Sequence, residues 1–221
     1  MVNTFRASIV AASCALAVAT FGPFEAVHAH QDHSTAAKRP VRSAKASQTA
    51  AALRDLWIGH IFWVRNVSLA TLNKDDDAAR AAEQQAVANA RSIAAAIEPF
   101  YGAAAKEKLF ELLAGHYGAV KAYLLATAAG DPAGQSKATE TLTLNAEEIA
   151  AFLSKANPNL PKEAVNGLLL AHGGHHIQQI QELRARNYGA EAKTWEEMKK
   201  HMYQIADTMT DALAKQFAKK F

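Results

Sequence analysis

Three histidines stand 56 residues apart in this 221-residue chain, at His60, His116 and His172. Each closes an apolar run with a small residue directly before it: LWIGH, LLAGH and LLLAH. The third is followed four residues later by His176, within the octapeptide HGGHHIQQ at 172–179. A neutral imidazole is a good ligand for zinc and copper, and three of them around an open fourth position is a familiar arrangement for either metal. Two histidines four residues apart on a helix share a face with their Cβ atoms ~5–6 Å apart, which makes a two-point metal grip. His60, His116, His172 and His176 are therefore the candidate metal ligands, and a divalent transition metal, zinc or copper, the implied cofactor. No nucleophile elbow, phosphate loop or cysteine nucleophile is present, so any catalysis would be metal-based, with a bound water activated by the ion.

The shift that superposes the histidines also superposes their surroundings. Residues 89–97 (NARSIAAAI), 145–153 (NAEEIAAFL) and 201–209 (HMYQIADTM) align under it. A fixed period of this size marks a repeated supersecondary unit. His60 and Asn89 are equidistant from a break at 74–75, His116 and Asn145 from one at 130–131, and His172 and His201 from one at 186–187. In an antiparallel helical hairpin, residues equidistant from the turn lie at similar height. Asn89, Asn145 and His201 are thus expected in the histidine layer as supporting partners, an Asn oxygen accepting the second ring N–H of a ligating histidine.

The elements that must position these residues are all helices. Breaks rich in Asn, Asp, Gly and Pro separate six segments of helical periodicity, at about 49–72, 76–100, 103–129, 134–155, 161–186 and 192–219. No segment alternates like a strand. The expected fold class is all-α, a helical bundle of three tandem hairpins occupying residues 49–221. The first, third and fifth helices carry the apolar stripes that hold the histidines, so they are expected at the centre. Closure around one axis would bring the histidines together, whereas a solenoid would leave them in a row.

Residues 1–29 read as a secretory signal, with Arg6 before an apolar run too short to span a bilayer and a small-x-small cleavage site at Val27-His28-Ala29. The mature chain would start at His30 in the periplasm or outside the cell. It would carry no disulfide, because the one cysteine, Cys14, lies in the removed piece. Residues 30–48 are polar, basic and aperiodic, and read as a disordered leader. No later stretch is long and apolar enough to span a membrane. The net charge of +3 is mild and its lysines and arginines are scattered, so nucleic acid is not an expected partner; a metal ion is.

The octapeptide at 172–179, which opens His-x-x-His-His, resembles the HHRGQ-type helix of the DinB-like family of metalloenzymes. The resemblance covers about ten residues and implies a bundle metal site in which His172 and His176 bind, His175 does not, and His60 or His116 supplies a third imidazole. Ile177 and Gln178 stand where that family has Arg and Gly. Three functions remain open from the sequence: an exported metal-binding bundle, a DinB-like metal-dependent enzyme acting on a small molecule, and a structural or interaction module whose His/Asn layer only sets helix register.

Overall fold

Four helix starts are fixed by side-chain caps. Ser43 Oγ accepts from the Ala46 N–H, Asp75 from Ala78, Asp131 from Gly134 and Asn187 from Ala190, each at 3.0–3.2 Å. Each cap satisfies an amide that the helix itself leaves unpaired. In the computed structural model, which describes residues 42–221, the helices are α1 (Ala44–Leu72), α2 (Asp76–Ala95), α3 (Glu98–Tyr101), α4 (Ala103–Ala129), α5 (Pro132–Ala156), α6 (Lys162–Arg184) and α7 (Tyr188–Gln216). A 3-10 turn (Ala218–Lys220) follows, and the described residues contain no strand. The fold is an all-α helical bundle. The expected signal segment at 1–29 and the expected leader up to residue 41 lie outside the described residues.

Three boundaries differ from the sequence expectation by four residues or more. The last part of the expected leader, residues 44–48, is helical. Ser43 caps it, and Arg42 just ahead pairs with Asp207 at 3.1 Å and Asp211 at 2.7 Å on α7, which anchors the helix start. The expected second helix stops at Ala95, and the single-turn α3 follows. Pro99 explains the break, because it has no N–H to donate and its ring conflicts with the carbonyl four residues back. The last helix begins at Tyr188 rather than 192, since the Asn187 cap outweighs the glycine beside it.

The chain pairs α1 with α2, α4 with α5 and α6 with α7. Helices α1, α4 and α6 also meet one another, and α7 returns to pack on α1, so the bundle closes on itself and is not an open solenoid. The three inner helices run in the same direction. Each one places apolar residues of one core cluster first, then a histidine, then residues of a second cluster. In α1 these are Leu53 and Trp57, then His60, then Val64 and Val67. In α4 they are Leu109, Leu112 and Leu113, then His116, then Val120 and Tyr123. In α6 they are Val165 and Leu169, then His172 and His176, then Ile180. A polar layer thus divides the apolar core. No described helix is long and apolar enough to cross a membrane.

Candidate metal centre

The four candidate ligands converge. One ring nitrogen from each of His60, His116, His172 and His176 falls within 4.8 Å of the others, and all four residues are buried. His172 sits at the middle, its Nε2 3.3 Å from His60 Nε2 and 3.2 Å from His176 Nε2. His116 stacks on it with ring centroids 5.4 Å apart and planes 12° apart. Trp57 closes one side, with its ring edge-on to His60 and His172 at 6.0 and 6.5 Å. Trp57 also lines an apolar cavity of about 30 Å³ with Leu113 and Leu169.

Burial holds these rings neutral. It pushes His60 down to about 3, helped by neighbouring His116, and His116 down to about 4, offset in part by the Asn145 side chain beside it. His172 and His176 lie well below the ordinary histidine value, first through burial and then because each faces other imidazoles. A charge on one ring would be unsolvated. Neutral imidazole is also the form that binds metal.

Asn89, Asn145 and His201 lie beside this layer, with their N–H groups bonded to the backbone. Asn89 Nδ2 donates to the Leu56 carbonyl at 3.0 Å, Asn145 Nδ2 to Leu112 at 3.0 Å and His201 Nε2 to Leu168 at 2.8 Å, each across 33 residues. Each accepting carbonyl lies one turn before a histidine, at the position whose helical partner is that histidine's own amide. Neither Asn oxygen meets hydrogen-bond geometry with a ring nitrogen, although the Asn145 side chain still interacts with the His116 ring. The small residue before each histidine now has a reason in two cases. A Cβ on Gly59 would fall 2.9 Å from Asn89 Nδ2, and one on Gly115 3.1 Å from Asn145 Nδ2. Glycine there lets the amide cross to the inner helix.

The glycine pair after His172 divides its work. A Cβ on Gly173 would meet Leu142 Cδ2 at 2.9 Å, so this glycine permits the close approach of α5 to α6, while Gly174 faces open space. His175, which the resemblance marks as a non-ligand, is outside the four-nitrogen group and packs against His201 at 5.3 Å.

One turn from His176, a second buried polar group escaped sequence reasoning. Gln179 donates to Glu191 Oε1 at 2.9 Å, and Arg65 grips both Glu191 oxygens at 2.6 and 2.8 Å. Arg65 holds the Glu191 carboxyl below the usual carboxylate range. The only signal for this group was Gln179 following His176 by three positions, on the same helix face.

The ring nitrogens are unevenly satisfied. Both nitrogens of His116 and the Nδ1 atoms of His172 and His176 are buried with no hydrogen-bond partner. An unpaired buried polar atom costs about 1–3 kcal/mol. The arrangement therefore has the donor set, the protonation state and the unmet bonding capacity of a site for a transition-metal ion. No family model, curated protein or solved structure matches the chain, so this donor set and its geometry are the basis for a functional reading.

Proposed function

We propose that the protein binds one divalent transition-metal ion, zinc or copper, among His60, His116, His172 and His176. One observation carries the reading. At a metal–nitrogen distance of 2.0–2.1 Å, the edges of a tetrahedron of nitrogens are about 3.3–3.4 Å. The His60–His172 and His172–His176 separations of 3.3 and 3.2 Å are close to that value before any ion is added. A layer that served only packing would leave the unpaired ring nitrogens as a standing cost. Imidazole donors suit zinc and copper above magnesium or calcium, which prefer oxygen.

The signal-like residues 1–29 support the proposal that the metal is handled in the periplasm or outside the cell. A second reading, a DinB-like metal-dependent enzyme acting on a small molecule, draws support from the His172–His176 pair being joined by His60 from another helix while His175 stays outside the group.

Protein produced without an affinity tag and dialysed after exposure to zinc or copper tests the reading by elemental analysis. About one ion per chain is the expected content. Content indistinguishable from buffer for both metals would contradict it.

A further inference from the structure

The four ligands are not equivalent, and the site lacks a counter-charge. His60, His172 and His176 are linked by two short nitrogen–nitrogen contacts, whereas His116 makes none with another ring. It is held in the layer by stacking and by Asn145, whose side chain lies beside the ring and braces the backbone one turn before it. The group of ligand atoms contains no carboxylate or thiolate. The two buried carboxylates among the described residues are occupied elsewhere, Glu191 by Arg65 and Asp207 by Arg42 and Arg54. On the Trp57 side the lining is apolar. A divalent ion held by four neutral imidazoles would therefore carry its full double charge into a desolvated core, which is costly unless an anion joins it.

We infer that His116 is an exchangeable fourth ligand, and that the metal-loaded site takes one small monovalent anion at its position, with His60, His172 and His176 remaining bound. The inference rests on the metal-binding reading and deepens it. An entering anion lowers the net charge of the centre from +2 to +1. The displaced imidazole stays neutral, and no bond other than the metal–nitrogen one is broken. His116 is the ligand to leave because the other three are already linked through His172 Nε2.

Cobalt(II) is a spectroscopic substitute for zinc, and azide is the probe anion. The intact chain is loaded with one equivalent of cobalt and titrated with sodium azide at pH 7.5, following the visible d–d bands. The expected result is a saturable change with one azide per cobalt, and about tenfold tighter azide binding in His116→Ala, which has no imidazole to displace. Failure of the wild-type chain to bind cobalt would remove the metal-binding reading and this inference with it. Cobalt bound with tetrahedral bands that azide does not alter would overturn the exchange alone. Azide binding confined to His116→Ala would also overturn it, by making His116 a permanent ligand. The wild-type titration decides the matter even if the variant does not fold.

Discussion

Lowering the pH of the metal-free protein from 7 to 5 is expected to remove about 7 kcal/mol of stability, enough to unfold most domains of this size. His60 and His116 have folded values near 3 and 4, and His172 and His176 lie well below the ordinary histidine value. In the unfolded chain all four titrate near 6.5. Between those limits the unfolded state holds more protons than the native one, so stability is full above pH 6.5 and falls as the pH drops through it. Each histidine contributes about 1.4 kcal/mol per pH unit, and four together about 5. Urea unfolding in chelator at pH 7, 6 and 5 checks this. A midpoint that does not move between pH 7 and 5 would show that the rings are not held neutral in the fold. Bound metal is expected to protect the protein against the same acidification, because it adds stability to the native state alone.

His172→Ala is expected to produce the second large effect, and one that depends on metal. His172 makes both short nitrogen contacts and is almost wholly buried. Its removal should eliminate most bound metal. At a free-ion concentration a thousand times Kd, binding adds about 4 kcal/mol to the wild-type protein, and the variant would lose that increment. In chelator the variant should lose only the packing and pairing cost, about 1–3 kcal/mol. Thermal melts of both proteins in chelator and in excess zinc separate the two components. Equal destabilisation in both conditions, with unchanged metal content, would leave the histidines a packing role.

The histidine layer was legible because its signals are arithmetic. Equal spacing put His60, His116 and His172 at one height on three like-directed helices, and the i, i+4 relation added His176 on the same face. The partners of Asn89, Asn145 and His201 were not legible in the same way. Distance from a turn gives height along a hairpin but not the direction of a side chain, so their bonds to backbone carbonyls appear only in three dimensions. Gly59 and Gly115 were visible as small residues, yet their purpose depends on an amide arriving from another helix. Pro99 did announce the end of α2, but the apolar periodicity runs through it and masked the break. Ser43 was present as a cap within a stretch whose basic, aperiodic composition argued against a helix. The pairing of Arg65 with Glu191 joins residues 126 apart, and nothing local in the chain marks it.

X-ray absorption of the zinc-loaded protein at one equivalent tests the central claim most directly. The account predicts a nitrogen shell at about 2.0 Å with the outer scattering of at least three imidazoles and no sulfur. A shell of light atoms without imidazole scattering would place the ion elsewhere on the chain and contradict the four-histidine site.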